Sequence, residues 1–195
     1  MSKVPVKQNG TKVTTNKVRL SYPHLFEKNA VEGGKAKFSA SLIIDKENTE
    51  LIKAINAAVE EAIKEGESKL KNKAGNIPKN LKKPLRDGDI DREDDEAYQN
   101  AYFLNANTDR KPQCVDQRVQ PITDPDDLYA GCYVRASVNF YAFNTNGNLG
   151  IAVGLNNIQK VAEGEALSGG SSAAEDFEAV ETDVDDILGD DDDLI

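Results

Sequence analysis

The sequence has no tryptophan, a single methionine and a single histidine, His24. Its two cysteines, Cys114 and Cys132, stand far apart. A tetrahedral zinc site needs several clustered His or Cys ligands, so this inventory argues against one. Two cysteines do not make a disulfide framework, and they read as reduced thiols near a core. There is no apolar run long enough to span a bilayer and no basic-then-apolar N-terminal signal. The chain is therefore expected to avoid membranes and to stay in the compartment where it is made.

Motifs of catalysis and ion binding are missing as well. His24 follows Pro23 and reads as a surface or packing residue rather than a base. The run Asp87-Gly88-Asp89-Ile90-Asp91 begins like a calcium loop, but Arg92 stands at the required Gly and Tyr98 at the required Glu. Gly33-Gly34-Lys35 lacks the remainder of a phosphate-binding loop and reads as a turn. No nucleophile–base pair can be picked out. The expectation is a protein that is not an enzyme and needs neither cofactor nor metal.

Charge is present but unevenly spread. The formal net charge of −10 would by itself disfavour a polyanionic partner. Eleven acidic residues lie between Glu175 and Ile195, where there is no Lys or Arg. Residues 1–174 therefore carry a net charge of +1 with all 24 basic side chains. Such a body can gather its cations on one face.

Residues 1–11 are polar and read as loose. Over 12–22 the pattern suggests a strand, with Val18, Leu20 and Tyr22 on one side and Lys17, Arg19 and Ser21 on the other. Pro23 should end regular pairing or mark an edge. After the Gly33-Gly34 turn, 36–44 alternates again, with Phe38, Ala40, Leu42 and Ile44 inward. The period then changes. Leu51, Ile52, Ile55, Val59, Ala62 and Ile63 recur at helical spacing over 48–64, with Asn48 or Thr49 to cap the start and Gly66 to end it. Residues 67–96 read as a long polar insertion. Strands are expected at 98–107, 113–119, 132–144 and 149–158, the last two joined by a hairpin across Asn146-Gly147. Gly and Ser at 168–172 lead into the acidic run. The division is a folded body over 1–165 and a flexible linker with a disordered acidic tail over 166–195. Mainly β structure with one packed helix fits either a small barrel or an α+β sheet, and periodicity does not choose between them.

The segment 132–144 is the most informative. One face carries Cys132, Val134, Ala136, Val138, Phe140 and Ala142, a set suited to a core. The other carries Tyr133, Arg135, Ser137, Asn139, Tyr141 and Phe143. A solvated face favours Lys, Glu and Thr over three aromatic rings. Unpaired bases expose flat π surfaces that stack on such rings, at about 1–3 kcal/mol each, and Arg can neutralise phosphate or stack on a base. On the next strand Gly150, Ala152 and Gly154 leave the outer face nearly bare, open to close approach by DNA. Lys17, Arg19, Lys37, Arg110, Lys111 and Arg118 can border the same groove, and Arg86 enriches the insertion with further positive charge.

The chain closes with Asp190, Asp191, Asp192 and Asp193, then Leu194 and Ile195. Carboxylates ended by two apolar residues suit a basic pocket with a hydrophobic floor. A tethered polyanion also competes for the body's own groove at high effective concentration. The expected partner is single-stranded DNA, with replication or recombination proteins reached through the tail. The alternative is a protein-interaction adaptor that uses the aromatic face and the tail. Self-association is left open, and no feature reads a 2′-hydroxyl.

Four segments carry a resemblance. They are 17–22 (KVRLSY), 84–89 (PLRDGD), 131–143 (GCYVRASVNFYAF) and 150–160 (GIAVGLNNIQK). From about residue 16 to 160 the sequence resembles the phage single-stranded DNA-binding proteins of the Enc34 type, first catalogued as a domain of unknown function. The resemblance implies an oligonucleotide-binding (OB) β-barrel and single-stranded DNA binding in phage replication, recombination or repair. It also implies a tail that regulates binding or recruits partners, and a location in the cytoplasm of the bacterial host. Aromatic and Arg side chains on the strand holding Tyr133, Arg135, Tyr141 and Phe143 agree with that family's pattern.

Overall fold

The computed structural model describes residues 4–30 and 33–167. The tail expected to compete with DNA lies outside the described residues. Nine strands form one sheet: β1 (Lys7–Asn9), β2 (Lys12–Thr14), β3 (Val18–Asn29), β4 (Lys37–Asp45), β5 (Arg86–Asp87), β6 (Ala101–Thr108), β7 (Gln113–Val115), β8 (Tyr133–Thr145) and β9 (Asn148–Ala162). The sheet closes because β8 pairs with both β3 and β9, giving the ring β3-β4-β6-β9-β8. Every pairing in the ring is antiparallel except β6 with β9, which run parallel at Asn107 and Gly154. The result is an OB-fold-like barrel, mainly β, with its apolar faces turned inward. Closure removes sheet edges, which a single face of alternating residues cannot announce.

Alternation sets the lining. Leu42, Ile44, Leu104, Val134, Val138, Phe140, Ile151, Val153 and Leu155 are buried in one cluster. The β8–β9 hairpin turns on Asn146 and Gly147, at φ 51° and 86°, the paired positive values that a tight two-residue turn demands. The helix α1 (Thr49–Glu65) adds Leu51, Ile55, Ala58, Val59 and Ala62 to the same core. Asn48 caps it through its side chain, which accepts from the Leu51 amide, and also exchanges amide bonds of 2.9 Å with Asn16. Gly66 ends it where no larger residue fits, since a Cβ there would lie 2.1 Å from that of Ala142.

Several local expectations change. Residues 7–14 form the β1–β2 hairpin, docked on β8 through Lys12–Asn139, Val13–Val138 and Thr14–Ser137. Tyr22 leaves the inward row. It takes φ 43° and is 52 % exposed, while the β3–β4 register shifts between Ser21 and His24. Strand β3 nevertheless continues past Pro23 to Asn29. The strand expected over 113–119 stops at Val115.

The insertion is more regular than its composition suggests. It contains α2 (Glu67–Leu70), β5, α3 (Gly88–Asp91) and a 3₁₀ turn at Glu96–Tyr98. Tyr98 lies in that turn, not in a strand, and is buried. Its ring meets Phe103 edge-on at 5.1 Å, and its hydroxyl donates to Ser41 Oγ at 3.0 Å. With Ile43 and Ala101 these rings make a second small core, distinct from the main cluster. The insertion thus covers one end of the outer β4–β6 surface and leaves the other end open.

Candidate nucleic-acid interface

On the open part of β3, β4 and β6 lies a groove of about 490 Å³. Its floor is small and polar, from Ser39 on β4 to Asn105 and Asn107 on β6. Its walls carry Lys35, Lys37, His24, Tyr22 and Arg92, with no carboxylate in the lining. Positive φ is rare for a bulky side chain and marks a conformation held by its surroundings. Here it turns the Tyr22 ring out of the barrel. The Arg92 guanidinium sits 5.3 Å from that ring's centre, 5.4 Å from Tyr98 and 5.7 Å from Phe103.

Arg92 owes its place to the insertion. Its backbone caps α3 by donating to the Gly88 carbonyl. Lys46, at the end of β4, grips the same element through Asp87 at 2.8 Å and Asp89 at 2.6 Å. Hydrogen bonds from Lys46 to Asp87 and then Asp89 hold its amine well above the ordinary lysine range. The Lys46 bond also holds the Asp89 carboxyl below its usual range, helped by the Asn100 amide. Beside the groove, Lys35 binds Asp109 at 3.2 Å and lowers that carboxyl, with Lys37 and Lys28 adding to the effect.

The outer face of β8 and β9 is a second surface. Tyr141 is 45 % exposed, and its ring lies over Gly154, where a Cβ would come within 3.5 Å. Asn139 Nδ2 donates to Asn156 Oδ1 at 3.4 Å. A polar groove of about 390 Å³ gathers Asn139, Asn156, Asn157 and Gln113 with Lys12, Arg110 and Lys111, again without a carboxylate. Arg110 and Lys111, picked out from the sequence, thus meet Asn139 here, while Lys37 lines the first groove.

Other chosen positions are engaged within the protein. Arg135 donates to the Thr15 and Pro5 carbonyls at 3.2 and 2.9 Å. Arg19 donates to Gly131 and Glu165 carbonyls at 3.2 and 2.7 Å. Arg86 binds Asp91 at 3.1 Å and covers the Phe103 ring. Tyr133 is half-buried beneath Lys17, whose amine is 4.8 Å from the ring centre. Phe143 packs on Gly150 beside the Lys82 backbone. Bareness at Gly150 therefore serves the chain itself, because Lys82 bridges β9 there with backbone bonds to Leu149 and Ile151. Arg118 stands apart, on an exposed turn where the Asp116 carboxylate accepts its amide.

Tyr22, His24, Arg92, Asn105 and Asn107 were not among the DNA contacts expected from the sequence. For Tyr22 the signal was the following proline, which disturbs strict alternation. For Arg92 there was none, since only the folded insertion carries it to β3.

A family pattern described as "Enterobacter phage Enc34, ssDNA-binding protein" matches residues 11–188. The putative protein p50 of Acyrthosiphon pisum secondary endosymbiont phage 1 is 35% identical over 175 residues, covering 86% of this chain and 92% of p50. The single-stranded DNA-binding protein of bacteriophage Enc34, solved in complex with ssDNA, superposes with a TM-score of 0.70 at 21% identity, over 86% of this chain and 99% of that one. The bacteriophage T7 single-stranded DNA-binding protein gp2.5 gives 0.53 at 12% identity, over 83% and 97%. At these identities the two structures speak for the fold alone. The match to the family pattern and the identity to p50 speak for the lineage, and the family consists of binding proteins, not enzymes. This chain belongs to the Enc34 single-stranded DNA-binding protein family.

Proposed function

We propose that this chain binds single-stranded DNA without strong sequence preference, as a phage protein in the host cytoplasm during DNA replication, recombination or repair. The groove on β3, β4 and β6 supports this most directly. It joins an outward Tyr22 ring and the Arg92 guanidinium to Lys35 and Lys37 over a floor of small polar residues. An exposed ring stacks any base, and cations follow any backbone. We assign direct contact to Tyr22, Arg92, Lys37, Tyr141, Asn139, Arg110 and Lys111. Lys17 and Arg118 supply weaker long-range attraction. Arg19, Arg86, Arg135, Tyr133 and Phe143 keep the surface in shape, because their side chains are bonded or packed within the body.

The tail belongs to the same proposal. Residues 166–195 act as linker and polyanion, occupying the cationic grooves when DNA is absent and offering Asp190–Ile195 to replication or recombination proteins. Fluorescence anisotropy of a labelled oligothymidylate, with duplex DNA as competitor and at two salt concentrations, tests the central claim. Binding that weakens steeply with salt and resists duplex competition is expected. No binding, together with a stable dimer burying the aromatic face, would favour the adaptor instead.

A further inference from the structure

The two grooves are joined by one row of paired residues. His24 on β3 pairs with Ser39 on β4, and Ser39 with Asn107 on β6. Asn107 pairs with Gly154 on β9, Gly154 with Asn139 on β8, and Asn139 with Lys12 on β2. Residues paired across a sheet face the same side. These six positions therefore form a continuous outer row, which at the usual strand spacing runs about 24 Å around the barrel. No member is acidic, and the middle of the row is low, with Ser39 and Gly154 on either side of Asn107.

Exposed aromatics flank both halves. Tyr22 stands by the first half and Tyr141, over Gly154, by the second. Among the described residues these are the two exposed aromatic side chains. The crossing point is the end of β6, where Asn107 lines the first groove and Thr108 and Arg110 line the second. Asp109, the acidic residue between them, is already held by Lys35.

We propose that a bound strand does not end in the first groove but passes over the end of β6 into the second. There Lys12, Arg110 and Lys111 take its phosphates, and the amides of Asn139, Asn156 and Asn157 take sugar or base edges. This rests on the proposal that the chain binds single-stranded DNA. It makes affinity depend on length in two stages, because a short oligonucleotide fills the first groove only. A lone strand can follow a curved path that a stiff duplex cannot, so the second segment also selects against duplex.

The test uses the full chain with oligothymidylates of about 5 and about 20 nucleotides, one near the lower limit of a single barrel's site and one beyond its upper limit. The variant Lys12→Glu/Asn157→Asp places negative charge in the second groove. Asn157 accepts the Gln113 amide through Oδ1, a bond that a carboxylate keeps. An unchanged melting temperature confirms that the variant folds. The expected result is a loss of about tenfold or more on the long oligonucleotide, with a salt slope lower by about 0.7, and a change below about twofold on the short one. Equal losses on both lengths, or no loss on either, would overturn the wrapped path. The wild-type chain distinguishes the two claims. If it binds the long oligonucleotide while the variant shows no selective loss, only the path is wrong; if it binds neither length, single-stranded DNA binding itself is wrong.

Discussion

In the proposed function Tyr22 serves binding at a cost to the fold, since it takes φ 43°. A left-handed backbone costs a non-glycine residue about 1–2 kcal/mol. Glycine removes that penalty, and it removes the ring as well. Tyr22→Gly should therefore melt no lower than the parent, yet bind oligothymidylate about tenfold or more weakly, the equivalent of one lost stack. Calorimetry and anisotropy on the same preparation check both halves. Arg135 predicts the opposite pattern. Its guanidinium ties β8 to the Thr15 and Pro5 carbonyls. Arg135→Met should lower stability by about 1.5–3 kcal/mol, the range for hydrogen bonds to a charged group. The DNA affinity of the molecules that remain folded should change far less. Denaturant melts paired with binding curves separate the two. From the sequence Tyr22 looked like a member of the inward row and Arg135 like a contact on the aromatic face of 132–144. A strand pattern shows which side a residue takes, but not which backbone carbonyls wait there.

Among the elements, the insertion over 67–96 departs furthest from its sequence. Its polar composition suggested a loop, and it folds because three anchors act together. Tyr98 fills a pocket against Phe103, Arg86 covers the same ring, and Lys46 grips Asp87 and Asp89. Each contact joins residues from separate segments, so none shows as a period. Lys46→Met should loosen α3 and with it Arg92. The expected outcome is faster amide exchange over residues 86–98, unchanged exchange in β8 and β9, and several-fold weaker DNA binding. Hydrogen-exchange mass spectrometry reads the first two directly. The helix α1, by contrast, was legible from local signals. Its spacing and the Gly66 stop are found, and of the two caps the sequence offered, Asn48 and Thr49, it is Asn48 that makes the bond. Asn48→Ala should cost about 1 kcal/mol or somewhat more, since the typical loss of a cap is joined by loss of the Asn16 pairing.

At the scale of the whole molecule, charge and burial set the response to conditions. Removing residues 168–195 takes away all eleven acidic residues found after Glu165. If the tail competes for the grooves, the shortened chain should bind DNA more tightly, with the gain largest at low salt. Equal affinity of the two forms would end the competitor role. Burial pushes both the Cys114 and the Cys132 thiols up to about 11. A folded-state value raised above the unfolded one contributes stability at neutral pH that is lost as pH rises. The melting temperature should therefore begin to fall above the ordinary thiol range, near 9, and continue to fall through about 11. Thiol reagents at neutral pH should label neither cysteine until the chain is denatured.

Local chemistry by itself determined the strands of the barrel lining, the β8–β9 hairpin, the helix with both of its ends, and the contrast between a near-neutral body and an acidic end. These follow from period, turn residues and composition, which act over a few neighbouring positions. Barrel closure, the outward turn of Tyr22, the carriage of Arg92 to β3 and the row that joins the two grooves were decided by tertiary structure alone. They depend on pairings such as Asn107 with Gly154 and Asn139 with Lys12. Partners so distant along the chain come together only when the sheet closes, and no stretch of sequence records which edge will meet which.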